Sequence, residues 1–477
     1  MGEEIQSSNF SAEDYTRFKQ QLQAETERLT EWFAESRFVD VHPVAGFELE
    51  AWLVDDHYRP APRNAEFLQQ LADPLASPEL ASFNFEVNST PRSLSGHVFS
   101  AMHAELIQTW QHCHDTAEQL HCQLAMIGIL PTVQNDDLHL ANMSKMERYR
   151  ALNREVVRMR KGKPLVFDIN GEEHLRVTHR DVMLESATTS FQIHTQLNPQ
   201  QAVRAYNASL ILAAPMVALT ANSPFLFGKN LWAETRIPVF EQAVAVGGYD
   251  GAMFGPIHRV TFGTGYVRES LMELFQENLE HYPILLPVSY GENNPELRHL
   301  RLHNGTIWRW NRPLVGFDAD GKPHLRLEHR VVPAGPSMID TLANAAFYYG
   351  VMTTLSTIEP APENFIKFDK ARDNFYAAAR FGLRSQLSWS NAKVHSVHDL
   401  LEQQLLPMAE SGLVQLGVEK HDRQTYLDVI RERLRSGMNG ANWQRAFVSK
   451  HGADMTALTA AYIERQESGK PVHEWTV

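Results

Sequence analysis

Four stretches of the chain alternate apolar and polar residues with period two, the pattern of strands that bury one face. In Gly46–Asp55, Phe47, Leu49, Ala51 and Leu53 share one face, and Glu48, Glu50, Trp52 and Val54 share the other. In Phe83–Asn88, the residues Asn84, Glu86 and Asn88 oppose Phe83, Phe85 and Val87. In Ser190–Leu197, Gln192, His194 and Gln196 oppose Phe191, Ile193 and Leu197. In His324–Arg330, Arg326, Glu328 and Arg330 oppose Leu325 and Leu327.

Between these stretches the spacing predicts helices over 12–35, with Ser11 as N-cap, over about 96–125, over 143–162 and over 196–219. The chain after Pro336 reads as mostly helical, with turns near Pro360, Gly412 and Gly437–Gly440. Residues 55–78, rich in Pro and Asp, read as a loop. Phe167–Val182 and Phe317–Val332 resemble each other and predict hairpins turning at Asn170-Gly171 and Asp320-Gly321. Thr178 stands in the first copy where Glu328 stands in the second, so chemistry is expected in the second.

Charge narrows the function classes. Across 477 residues, 44 Lys and Arg against 57 Asp and Glu leave a net −13, which argues against sequence-independent nucleic-acid binding. Cys113 and Cys122 fall nine residues apart in one predicted helix, too far to bridge, as in a reduced cytoplasmic protein. MGEEIQSSNF has no apolar core of a signal peptide. The longest apolar run, Leu210–Leu219, is too short to span a bilayer and is expected to be a buried helix, with no membrane partner. His114, Glu118 and His121, on one helical face, could hold a metal, and the basic segment 143–162 could face phosphates or a partner, but a solvated surface is the default reading of both.

Glu48 and Glu50 stand about 6.5 Å apart on one strand face, close enough to serve one ion. Without a cation they repel by about 2.5 kcal/mol at an effective dielectric near 20. The polar faces together carry four Glu, one His and one Gln as candidate ligands, a set that suits Mg²⁺ or Mn²⁺ better than a structural zinc site. In Thr306–Pro313, read as a strand, Arg309 and Asn311 share a face and Arg312 lies near the end. Guanidinium groups there can bind a phosphoryl group or a carboxylate bidentately, or simply stack on Trp308 and Trp310.

Five pieces in order over Gly46–Pro333 resemble the glutamate-cysteine ligases and related carboxylate-amine ligases: GFELEAWLVD, FEVNSTP, TSFQIHTQL, ALTANSPFLFG, and IWRWNRP with LRLEHRVVP. The ANSPF turn is the most specific, and the glycine-rich substrate stretch of the plant-type ligases is missing. The resemblance implies an α+β fold of glutamine-synthetase type, in which a curved antiparallel sheet forms a funnel with helices on its outer face. The C-terminal helical portion lies outside the resemblance, and the chain is expected to divide into an N-terminal helical segment (1–40), a catalytic domain (41–358) and a helical C-terminal region packed on it (359–477).

The resemblance also implies ATP and Mg²⁺, or Mn²⁺, as cofactors, and an acyl phosphate that a small amine attacks to give an amide or γ-glutamyl bond. The expected substrates are glutamate and cysteine or a similar amine. Glu48, Glu50, Glu86, His194 and Glu328 are the implied metal ligands, and Gln192, Arg309 and Arg330 the implied ATP contacts. Arg330 is expected to stabilise the transferring phosphoryl group and Arg312 to contact a carboxylate or phosphate; the ANSPF turn is expected to place Arg236 at the mouth. A metal-dependent hydrolase on the same carboxylates and a non-catalytic nucleotide-binding protein are the competing readings. Self-association is left open.

Overall fold

The computed structural model describes residues 4–246, 258–291, 295–389 and 393–477. Its centre is a curled, antiparallel, eight-stranded sheet in an α+β fold. The strands are β1 (Val44–Val54), β2 (Ala76–Pro78), β3 (Asn84–Asn88), β4 (Arg92–Ser93) and β5 (Gln123–Ala125) from the N-terminal part. After a separate hairpin, β6 (Leu165–Asn170) with β7 (His174–His179), come β8 (Ser190–Leu197), β9 (Asn311–Phe317) and β10 (Pro323–Pro333). Their order is β9-β10-β8-β1-β3-β2, and β4 and β5 also pair with β1.

The register decides which side chains meet. Glu48 pairs with Gln192 on one side and Asn88 on the other, Glu50 pairs with Glu86, and Glu328 pairs with both His194 and Arg312. Directly paired residues point to the same face, so all of these project together. In β10, His329 pairs with Ile193 but Val332 pairs with Phe191. Three steps on one strand against two on its partner make a β-bulge at Arg330–Val331.

Apolar residues of the opposite face, Phe47, Leu49, Phe85, Phe191, Ile193, Leu325 and Leu327, are buried in one large core. Nine helices are relevant here: α1 (Ala12–Ala34), α2 (Asn64–Leu71), α3 (Val98–Gln119), α4 (Glu147–Met159), α5 (Ala202–Thr220), α6 (Arg236–Ala243), α7 (Met272–His281), α8 (Arg298–Gly305) and α9 (Met338–Thr357). Helices α3, α5 and α9 contribute to that core. Helices α4, α6, α7 and α8 contribute side chains to the polar side of the sheet.

Several expectations are corrected. Residues 55–78 hold α2 and β2, because Phe67 and Leu71, one turn apart, are buried; eight residues between Pro-rich flanks show too little period to read. Helix α3 ends at Gln119, His121 takes φ 54, and the chain turns into β5, so the buried Cys122 lies outside the helix of Cys113. The 196–219 helix starts at Ala202 because β8 runs to Leu197. With its leading turn, Pro199–Thr220 is long and apolar enough to cross a membrane by composition, but it is buried in the core. Gly412 makes no turn: it lies inside the helix Leu406–Gln415, where a Cβ would collide with the carbonyl of Gly350 in α9. Of the two similar hairpins, β6–β7 stands apart and β9–β10 belongs to the main sheet.

Candidate active site

The polar face of the sheet opens into a cavity of about 330 Å³ lined by Glu48, Glu50, Gln192, His194, Arg312, Glu328 and Arg330. Seven of the nine candidate residues therefore meet, Glu86 adjoins them through Glu50, its cross-strand partner, and Arg309 stands apart.

The ligand-type groups divide into two clusters. Glu48, His194 and Glu328 form one, and Glu50, Glu79 and Glu86 the other; within each, one ligand atom per residue lies within 4.8 Å of the others. His194 Nε2 stands 3.5 Å from Glu48 Oε1 and 3.7 Å from Glu328 Oε1. These distances are too long for good hydrogen bonds. Among the described residues, His194 Nε2, Glu79 Oε1 and Glu86 Oε2 are buried with no hydrogen-bond partner, an arrangement that costs free energy unless a cation completes it. The residues fit hard divalent cations, with carboxylate oxygens and one imidazole as donors.

Electrostatics separates the clusters. Burial disfavours charge on Glu328, but Arg312, Arg330 and His194 outweigh it and hold the carboxyl well below its usual range. Burial also opposes charge on Glu48, and neighbouring positive charge, His194 foremost, overcomes it and lowers the carboxyl. In the second cluster burial wins. The Glu86 carboxyl is pushed well up by burial and by Glu48 and Glu50, and Glu79 by burial and by Glu50, Glu86 and Glu185. Glu50 is raised by burial despite Arg330 and the donors of Ser190. Three such carboxylates together cannot all ionise without a compensating cation.

Hydrogen bonds fix the orientations. Glu50 accepts from Ser190 N–H (2.7 Å), Ser190 Oγ (2.9 Å) and Gln192 Nε2 (2.9 Å). Arg312 donates to both oxygens of Glu328 (2.8 and 2.9 Å) and to the Gly305 carbonyl (3.1 Å), so it serves Glu328 first. Arg330 donates to Glu328 (3.0 Å) and to Gln192, while its Nε is buried without a hydrogen-bond partner among the described residues.

Two placements differ from expectation. Arg309 is outside the cavity lining: its strand, Trp308–Arg309, pairs in parallel with Val260–Thr261, and its buried guanidinium donates to Asn278 (2.6 Å) and Glu277 (2.7 Å). It is a structural arginine, because a guanidinium with no exposed surface must find its partners inside. Arg236 is not at the mouth but buried behind β10.

Cavity residues outside the sequence expectation include Glu79, Glu185 and Arg326. Glu79 directly follows β2, just past the expected loop, and Glu185, raised to about 8 by burial and Glu50, sits on a short turn of no period. Arg326 shares the polar face of β10 with Glu328 and Arg330, a signal that was present, and has no hydrogen-bond or ion-pair partner among the described residues.

Among solved structures, the fold is shared with glutamate–cysteine ligase from Francisella tularensis in complex with AMP: TM-score 0.55, 11% identity, covering 91% of this chain and 90% of that one. It is also shared with a bifunctional glutathione synthetase from Pasteurella multocida: TM-score 0.52, 11% identity, covering 89% of this chain and 52% of that one. Comparison with curated protein sequences gave no match. The sequence pattern of glutamate-cysteine ligase family 2 (GCS2) matches residues 44–464, running across the expected boundary at 358 and through most of the C-terminal helices. On that match, which takes in every strand of the main sheet and every cavity carboxylate named above, the chain belongs to glutamate-cysteine ligase family 2.

Proposed function

We propose that this protein is an ATP- and Mg²⁺-dependent carboxylate-amine ligase that activates glutamate as an acyl phosphate and joins it to a small amine, cysteine being the first to test. The observation that carries the reading is the pair of carboxylate clusters on one sheet face, with ligand atoms of Glu79, Glu86 and His194 that have no hydrogen-bond partner among the described residues, beside Arg326, which makes no hydrogen bond or close ion pair among them. Family membership and the shared ligase fold support the same class of reaction.

Divalent cations held by Glu48, His194 and Glu328 and by Glu50, Glu79 and Glu86 would neutralise phosphate charge. The chain's own part is positioning. Arg330 and Arg326 offer N–H donors to the phosphate oxygens of ATP and to the phosphoryl group in transfer. Arg312 and Arg330 keep Glu328 ionised and oriented. Phosphoryl transfer needs no nucleophile from the protein, and none is proposed. Phe240, Leu286, Leu300 and Leu314 give the cavity an apolar wall, which limits water around an intermediate that hydrolyses readily.

A phosphate-release screen with ATP, Mg²⁺ and glutamate against a panel of amines tests the proposal. Amine-stimulated release is expected, with a γ-glutamyl product by mass. If no carboxylate and amine pair stimulates release, the ligase reading fails; turnover of an ester or phosphodiester without ATP would favour the hydrolase instead.

A further inference from the structure

A bulge removes backbone groups from the ladder, and something else must satisfy them. At the bulge of β10 that something is Arg236. Its Nη1 donates to the Arg330 carbonyl (3.2 Å) and its Nη2 to the Val331 carbonyl. Its Nε donates to Glu234 (3.1 Å), whose other oxygen accepts from the Asn222 N–H (2.8 Å) in the ANSPF turn. Ser223 Oγ of the same turn accepts from the Arg236 N–H (3.1 Å). Arg236 and Glu234 are both buried.

The same helix reaches the other end of Arg330. Phe240, one turn after Arg236 on α6, lies with its ring centroid 5.9 Å from the Arg330 guanidinium carbon and lines the cavity. Helix α6 thus touches both the backbone and the charged head of Arg330. An arginine is required because two carbonyls and a carboxylate are met at once by one planar fork, which a lysine ammonium cannot span.

We infer that Arg236 is a positioning residue: it clamps the β10 bulge and so sets the direction from which Arg330 enters the cavity. The effect on turnover rests on the role given above to Arg330; the clamp itself does not. The Asn222 side chain continues the support outward, donating to the Ala334 carbonyl (2.7 Å) and to Tyr462 (2.8 Å) in the C-terminal helix Met455–Glu467.

Arg236→Lys decides the matter through two readouts. The first is amide hydrogen exchange across residues 325–335. Faster exchange there, with the rest of the sheet unchanged, is expected; unchanged exchange, or a uniform increase over the whole sheet, overturns the clamp. The second is phosphate release, where kcat should fall about 10- to 100-fold with the KM for ATP little changed, since a misaimed group acts in the transition state. In an Arg330→Ala background Arg236→Lys should add little; additive losses, or a change in KM alone, overturn the positioning role. Should Arg236→Lys fail to fold, Glu234→Gln, which weakens the grip on Arg236, is put to the same comparisons. If the wild-type protein shows no turnover, the ligase reading falls and the exchange result alone decides the clamp.

Discussion

Glu48 and Glu50 are two residues apart on one strand, yet they serve different clusters. Their spacing suggested one shared ion, but cross-strand neighbours sort them: Glu48 joins His194 and Glu328, and Glu50 joins Glu79 and Glu86. The distinction is chemical too, since Glu328 of the first cluster is kept ionised, chiefly by Arg312 and Arg330, while Glu79 and Glu86 of the second are pushed toward protonation by burial and by neighbouring carboxylates. Glu48→Gln and Glu50→Gln should each lower Mg²⁺-dependent turnover by at least about 100-fold. Without Mg²⁺, Glu50→Gln should melt close to wild type, because it removes a carboxylate whose charge burial disfavours, and Glu48→Gln somewhat lower, because it removes a charge its neighbours favour; both should lose most of the rise in melting temperature that Mg²⁺ gives the wild type. Turnover assays and melts with and without Mg²⁺ check this; wild-type turnover in both variants would remove the site.

At the scale of elements, small residues set distances that larger ones cannot. Gly350 of α9 and Gly412 of the helix Leu406–Gln415 face each other so closely that a Cβ on either meets the partner helix's backbone. Gly412 resembled a turn in sequence because glycine usually marks one. Gly412→Ala should destabilise the protein by about 1–3 kcal/mol, since backbone cannot yield as a side chain can. Urea denaturation gives the value; an unchanged midpoint would show that the helices part without cost. The bulge in β10 belongs to this scale as well, for an extra residue in one strand is invisible until its partner is known.

Across the whole molecule, buried histidines tie stability to pH. Burial lowers His303 from 6.5 to about 4 and His329 to about 3. The folded state then binds fewer protons than the unfolded chain below pH 6.5, so their contribution is present above 6.5 and is lost as pH falls toward 4 and 3. Each acts with a slope of about 1.4 kcal/mol per pH unit in that window. Glu185 and Glu241, raised to about 8 and about 7 by burial, act with the opposite sign from 4.5 upward. The histidine term is therefore read as a difference: His303→Gln, whose amide can still donate to the Asn278 carbonyl, should lose less stability than wild type between pH 6.5 and 4. Melting temperatures over that range test it, and equal slopes would refute it.

Local pattern determined the strand faces around Glu48, Glu86, His194 and Glu328, the capped helix α1 and the family resemblance, because period and motif are written in neighbouring residues. Tertiary structure alone decided that Glu79 and Glu185 join the site, that Arg309 leaves it, and that Arg236 sits behind the bulge. Those outcomes depend on register and on which buried charge finds which partner. Such facts lie between strands and helices far apart in the chain, where one-dimensional spacing carries no information.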